Sequence, residues 1–409
     1  MQDTRLYEQI LGLSDPWKVG RVELNVQDQK VDLWVEHRAN ASWNCPACAK
    51  PCPLYDHAGE RTWRHLDTCQ FQTHLHARIP RVDCPEHGVM NVKVPWGEKN
   101  SRFTLLMERL IIDLLLACQN IQSACRLIKI GWESAANVMR RAVGRGLLRK
   151  ESSGVIRYVG VDEKAFKRGH HYLTVVSNLE AGSVEYLAEH RTGESLAGYY
   201  QKLSQEQREG IQAVAMDMHQ PYVQATSEYL PEGAQKIVFD RFHIMKNANA
   251  ALDHVRRGEQ FELSRRRDDT LARTRQMWLW SQENLPEKYQ DRFKLLKHQD
   301  LKTAKAWALK EHLRRLWDQP GIAEARTFFD HWHQWATGSK LVPMMRLARM
   351  LWSKLDQIIS YCRHPITSAG CEGLNSKITS VKIRAAGFRN IERFKTAIFF
   401  HCGKLQLYP

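Results

Sequence analysis

Between residues 158 and 255 the chain alternates in a way that few folds satisfy. Three apolar runs come first, over 158–161, 171–177 and 183–189, joined by basic turns. Runs like these predict an antiparallel meander. A helical pattern over 194–203, a buried run over 211–216, a helix over 219–230, a run over 236–239 and a helix from 241 follow. The order is β-β-β-α-β-α-β-α. The first and fourth runs each end in an aspartate, Asp162 and Asp217, and the fifth ends in Asp240. If the first and fourth lie parallel and side by side, Asp162 and Asp217 meet at one sheet edge. Two carboxylates there repel unless a cation bridges them.

Hard oxygen ligands on a rigid sheet suit Mg²⁺. Paired metals can stabilise both the attacking and the leaving oxygen of a phosphodiester displacement. A strand-end aspartate can equally cap the next turn or helix. Asp240, just ahead of a helix, fits that simpler role, so the pair carries the argument. A third acid would complete a metal site. Far downstream, Glu372 stands between Gly370 and Gly373, with Asn375, Lys377 and Lys382 near it. Small residues around an acid let a bulky ligand approach.

Charge points to the same substrate class. Lys and Arg number 60 against 45 Asp and Glu, a net +15. Such an excess favours a polyanion, and nucleic acid is the commonest large one. A solvated basic surface is the plain alternative. A chain of 409 residues exceeds one compact core, so two to four domains are expected. The opening residues do not read as a signal peptide, and the most apolar stretch, 105–118, is too short and too charged to span a membrane. The protein is therefore expected in a reducing cytoplasm, with its ten cysteines as thiols or metal ligands.

Five of those cysteines lie between Cys45 and Cys84. Cys45-Pro-Ala-Cys48 is a Cys-x-x-Cys pair, and Cys84-Pro-Glu-His87 repeats the spacing with His last. Together they supply the four ligands of a closed, structural Zn²⁺ site. Cys52, Cys69, His57 and His74 lie close enough in sequence to compete. A redox Cys-x-x-Cys is a rival, but no βαβ pattern surrounds it. Alternation over 62–82 predicts a hairpin between the two pairs.

A helix over 101–118 follows. Ala124, Leu127 and Ile128 form a short apolar face, Gly131 is read as a break, and a second helix runs over 133–143. Two short helices about a glycine turn match a helix-turn-helix, or a plain helical hairpin. Glu133, Ser134 and Asn137 are then candidates to face a DNA groove, with Arg140, Arg141 and Arg145 nearer phosphates. From 241 to about 361 the pattern is helical, and residues 366–402 read as two short helices around Gly387. Residues 250–365 hold seven of the thirteen tryptophans. Most are expected in the core, and a minority could stack on bases.

The quoted residues resemble one family closely, the bacterial DDE transposases of the ISL-three insertion-sequence group. The resemblance runs through TWRHLD, IPRVDCPEHG and PWGEKNSRFT. It continues in GVDEKAFKRGHHYLTVVSN, MDMHQPY, IVFDRFHIMKNAN, KAWALKEHLRRLWD, HWHQWATGSKLVP, EGLNSKI and GFRN. It implies an α/β ribonuclease-H-like catalytic core interrupted by an all-helical insertion, preceded by a small zinc-binding lobe and a helix-turn-helix domain. The expected segments are 1–40 N-terminal, 41–95 zinc-binding, 96–152 helix-turn-helix, 153–250 and 363–409 core, and 251–362 insertion. By motif position the catalytic triad is Asp162, Asp217 and Glu372, holding Mg²⁺ or Mn²⁺. Lys164, Lys167, Arg168, His170 and His171 would lie near the DNA backbone, unless they form only a solvated hairpin turn.

The implied function is binding of terminal inverted repeats, cleavage at the element's ends and joining of the 3′-OH ends to target DNA. Implied partners are double-stranded DNA and a second protomer, a homodimer on paired ends, in a nucleoid-associated cytoplasmic setting without membrane. A transposase-derived regulator without cleavage, and a structure-specific nuclease on the same fold, are the alternatives.

Overall fold

The computed structural model describes residues 3–118, 120–150, 154–167, 171–366, 369–385 and 387–409. The chain divides into two compact units. One comprises Met1–Ser152, Lys382–His401 and Leu405–Pro409, and the other Ser153–Val381 and Cys402–Lys404.

The first unit opens with helix α1 (Asp3–Leu11) and strands β1 (Trp17–Asn25), β2 (Lys30–His37), β3 (Trp43–Asn44), β4 (Pro51–Cys52), β5 (Leu54–Arg64), β6 (Gln72–Cys84) and β7 (Gly88–Asn91). Strands β1, β2, β6 and β5 form a sheet in that order, with β7 also on β6. The expected hairpin is β5–β6, antiparallel, with Trp63 opposite Leu75. On β6 the side chains alternate, so Thr73, Leu75, Ala77 and Ile79 are buried. Leu75, Ala77 and Ile79 pack with Trp17, Leu33, Trp43, Trp63 and Trp96 in one core. Strand β2 pairs in parallel with β6, Leu33 opposite Leu75. Of residues 1–40, expected as a separate segment, strands β1 and β2 are thus part of the same sheet as β5 and β6. The reason is that β6 is long enough to take partners along both sides.

Three helices follow, α2 (Leu105–Ala117), α3 (Ile121–Ile128) and α4 (Trp132–Lys150). Thr104 caps α2 by accepting from the Met107 N–H, and Asn120 caps α3 by accepting from the Ser123 N–H at 2.8 Å. Lys129 ends α3 in the left-handed region at φ 52°, so it makes the break expected at Gly131. Gly131 instead supplies the carbonyl that accepts from the Ser134 N–H. Cys125 joins Ala124 and Ile128 on the buried face of α3, while Leu127 is exposed.

The second unit holds β8 (Tyr158–Lys167), β9 (His171–Asn178), β10 (Ser183–Glu189), α5 (Gly193–Tyr200), α6 (Gln205–Gly210), β11 (Ala213–Met216), α7 (Gln220–Tyr229), α8 (Gly233–Lys236) and β12 (Ile237–Phe239). Its sheet order is β10-β9-β8-β11-β12. Strands β8, β9 and β10 form the antiparallel meander, and β11 runs parallel to both β8 and β12. Strand β11, with partners on both sides, is buried at all four positions.

Seven helices continue the chain, α9 (Arg241–Ser264), α10 (Arg275–Leu279), α11 (Glu287–Leu296), α12 (Lys302–Arg314), α13 (Ile322–Gly338), α14 (Val342–Trp352) and α15 (Leu355–Ile359). They share one apolar core with the sheet, joining Val159, Met216 and Phe239 to Ile244, Trp278, Trp332 and Ile358. Trp278, Trp307, Trp317 and Trp332 are buried, whereas Trp280, Trp335 and Trp352 are exposed. Helix α16 (Ala369–Arg384) and helix α17 (Ile391–Cys402) close the chain. Of the stretch 363–409, expected to complete the core, Lys382–His401 and Leu405–Pro409 belong to the first unit.

Candidate active site and metal centre

The parallel pairing of β8 with β11 sets the first two acids. Gly160 lies opposite Ala215, so Asp162 and Asp217 each stand two residues further along adjacent strands. Asp162 is not at a strand end. Strand β8 runs on to Lys167, paired only with β9, Asp162 opposite Val175. The acid sits where the parallel neighbour stops, which leaves the side facing β11 open. Met216 lies opposite Phe239, so Asp240 is in register with Asp217 on the next strand. Asp162, Asp217 and Asp240 are therefore in register across three neighbouring parallel strands. Asp240 also caps α9, accepting from the Phe242 N–H at 3.0 Å, which is its sequence-expected role.

Asp162 accepts from the Glu163 N–H at 2.7 Å and from the side-chain amide of Asn375 on α16. Burial pushes its carboxyl above the usual range, and Asp217 adds to this, while the Glu163 N–H, His243 and Asn375 pull it back. Glu163 is pushed up to about 7 by burial, with Arg191 opposing and Asp217 and Asp162 adding. Arg191 forms an ion pair with Glu163 at 2.5 Å and reaches Asp217 at 3.4 Å. The His219 N–H donates to Asp217 at 3.0 Å. Glu163, Arg191 and His243 were missed in the sequence. Only Glu163 left a signal, as a second acid beside Asp162.

Glu372 lies on α16 one turn ahead of Asn375. Lys164 Nζ donates to the Asn375 carbonyl at 3.2 Å and to Thr379 Oγ1 at 2.5 Å, so it holds β8 to this helix. Lys167 lies 4.9 Å from the centroid of the Phe166 ring, and Arg168 and His170 fall outside the described residues. The cluster offers hard oxygen donors at a partly desolvated edge, the donor set a divalent cation prefers.

In the first unit the ligand atoms of Cys45, Cys48, Cys84 and His87 all lie within 4.8 Å of one another. Cys45 Sγ is 3.8 Å from His87 Nδ1, Cys48 Sγ 3.8 Å from Cys84 Sγ, and Cys84 Sγ 3.5 Å from His87 Nδ1. The turn after each pair needs a left-handed residue, Ala49 at φ 60° and Gly88 at φ 67°. Burial pushes the Cys84 thiol up, but the Glu86 and His87 N–H groups and the neighbouring sulfurs outweigh it and bring it to about 7. Three thiols and an imidazole at these separations suit tetrahedral zinc. Cys52 bonds the Lys50 carbonyl instead, at 3.4 Å. No described cysteine is in a disulfide.

Comparison with known families gives three matches in chain order. Residues 41–87 match the zinc-finger of transposase IS204/IS1001/IS1096/IS1165, and residues 92–143 match the helix-turn-helix domain of transposase family ISL3. Residues 159–398, more than half of the chain, match the ISL3 DDE transposase. The chain belongs to the ISL3 family of DDE transposases. Similar proteins include the transposase for insertion sequence element IS1557 of Mycobacterium tuberculosis, 26% identical over 95% of this chain and 93% of that one. The transposase for insertion sequence element IS1001 of Bordetella parapertussis is 28% identical over 86% of each. The protein is thus a DNA-binding transposase of an insertion sequence. No helix among its described residues is long and apolar enough to cross a membrane.

The residues of this ISL3 transposase that were expected to meet DNA part company on α4. Glu133 pairs with Arg393 at 2.9 Å, and Asn137 accepts from Arg140 at 2.8 Å. Ser134 is half-buried and Arg140 exposed. Arg141, expected near phosphates, turns inward to Glu108, which is fully buried on α2. Arg145 bonds Glu98 at 2.5 Å and the Leu407 carbonyl at 2.9 Å. A buried carboxylate must be paired, and these two arginines are the cations within reach.

Proposed function

We propose that the transposase cleaves DNA at the ends of its element and joins the freed 3′-OH ends to target DNA, using Asp162, Asp217 and Glu372. The register of Asp162 with Asp217 carries this reading. The sheet order, a meander followed by two parallel strands, supports a ribonuclease-H-like core, with 251–362 as its helical insertion. Residues 41–95 and 96–152 would be the zinc-binding and helix-turn-helix parts of one amino-terminal unit.

The three acids would hold Mg²⁺ or Mn²⁺, which when bound supplies the positive charge that stabilises the attacking and leaving oxygens of a phosphodiester displacement. The rest falls to this chain. Asp162 and Asp217 present their carboxylates side by side, fixed by backbone N–H groups and by Asn375. Arg191 offsets the charge of Glu163 and Asp217, so the acids can crowd one edge. Water and then the 3′-OH are the nucleophiles, and no covalent protein intermediate is required. Cys45, Cys48, Cys84 and His87 would hold a structural Zn²⁺. A homodimer on paired ends, in the nucleoid-bearing cytoplasm, fits the need to coordinate two ends.

The test is strand cleavage on a labelled duplex carrying the element's end, with Mg²⁺ or EDTA, for wild type and Asp162→Asn. Metal-dependent nicking at the end, lost in the variant while binding persists, supports the reading. Binding without cleavage under both Mg²⁺ and Mn²⁺ overturns it in favour of a regulator. Cleavage indifferent to the end sequence overturns it in favour of a nuclease.

A further inference from the structure

The first unit contains a cleft of about 520 Å³ that the proposed catalytic and zinc sites do not use. It opens between the amino-terminal ends of α3 and α4 and residues 384–385 and 387–393, and a smaller cavity of about 280 Å³ lies along the same face of α4. Residues 384–385 and 387–393 lie well outside the helix-turn-helix match, which ends at 143. Yet they meet the face of α4 that would read DNA. Arg393 bonds Glu133 at 2.9 Å, and its guanidinium lies 4.6 Å from the Trp132 ring centroid. Ile121, Trp132 and Phe388 give the cleft an apolar lining, and Arg384 and Arg389 are exposed at it.

The charge of the covering segment decides between two roles. Residues 382–395 carry five cations, Lys382, Arg384, Arg389, Arg393 and Lys395, against one acid, Glu392. A segment that masked a DNA-binding face would compete best by presenting acids. A basic one extends the positive field of that face.

We propose that residues 384–385 and 387–393 and the amino-terminal face of α4 form one composite surface for the duplex DNA of the element's end. This rests on the helix-turn-helix being the part that binds that end. Arg384 and Arg389 neutralise phosphates, and the cleft seats the sugar of one backbone nucleotide against Trp132 and Phe388. Arg393 is a positioning residue that fixes Glu133 toward the base edges.

Fluorescence anisotropy with the full chain tests this, using an end duplex and a scrambled duplex over a range of salt. The Arg384→Ala/Arg389→Ala variant is expected to bind both duplexes about thirtyfold more weakly near 0.15 M salt, with the salt slope reduced by about two. The corresponding double lysine variant keeps the slope, which separates lost charge from lost fold. Arg393→Ala is expected to shrink the ratio of end to scrambled affinity at least fivefold, and Arg393→Lys to restore part of it. An unchanged slope in the double alanine variant, with Arg140→Ala still weakening binding, overturns the composite surface and leaves the helix-turn-helix reading standing. Unchanged binding in all of these variants overturns both. Tighter binding by the double alanine variant also overturns the proposal, because it marks the segment as a cover.

Discussion

The side-chain amide of Asn375 donates to Oδ2 of Asp162, joining residues 213 positions apart in sequence. With the two bonds from Lys164, it ties strand β8 to helix α16, the helix that bears Glu372. Hydrogen bonds to charged groups contribute about 1.5–3 kcal/mol. Asn375→Ala is expected to lower single-turnover cleavage at saturating DNA roughly ten- to a hundredfold, with end binding unchanged. A rate within twofold of wild type would show that Asp162 needs no such anchor.

Neighbouring arginines on α4 should behave oppositely. Arg141→Ala leaves Glu108 buried with Arg145, 3.6 Å away, as its remaining cation among the described residues. The cost expected is about 3 kcal/mol of stability, read from chemical denaturation. Arg140→Ala, at an exposed position, should stay within about 0.5 kcal/mol of wild type and instead reduce the salt slope of DNA binding by about one. Equal stability losses in the two variants would refute the distinction.

The buried histidine of the first unit predicts a pH dependence. His65 bonds Thr104 Oγ1 at 2.9 Å, and burial, aided by Arg64, lowers its pKa from the usual 6.5 to about 4. Between these values the unfolded chain binds the proton and the folded chain does not. Stability from this group therefore falls as pH drops from about 6.5 to about 4, by the order of a few kcal/mol in total. His65→Gln should flatten that part of the profile relative to wild type. Parallel profiles for the two proteins would contradict the assignment.

Zinc removal should act on the first unit before the second. Trp43 lies next in sequence but one to Cys45, pairs with Cys52 across β3–β4, and packs in the same core as Trp17 and Trp96. A strong chelator is expected to release about one zinc per chain, shift tryptophan emission to the red and weaken binding of the element's end. Complete zinc release with unchanged emission and affinity would argue that the four ligands hold nothing together.

What could be read in the sequence followed from period and chemistry. The meander over β8–β10 and the two cysteine knuckles were legible because strand alternation and metal-ligand spacing are local. Asp162 was legible as an acid at the edge of an apolar run but not as a mid-strand residue. Strand β8 outlives its parallel partner, and no local pattern reports where a neighbour ends. Asp240 was legible as a helix cap, and its register with Asp217 emerges only from β11–β12 pairing. The inward turn of Arg141 depends on Glu108, an acid inside an apolar run on another helix. Arg191 and His243 come from separate loops and helices, and nothing in their own neighbourhoods points to the acids they serve.

Helix α16 carries a further consequence. Asn375 and Thr379 stand one turn apart on it, and strand β8 reaches both, through Asp162 and through Lys164. Two bolts a turn apart stop a helix from swivelling as well as from sliding, where one would leave a hinge. On the reading proposed above, Glu372, a turn ahead of the first bolt, would take its bearing from the strand that carries Asp162.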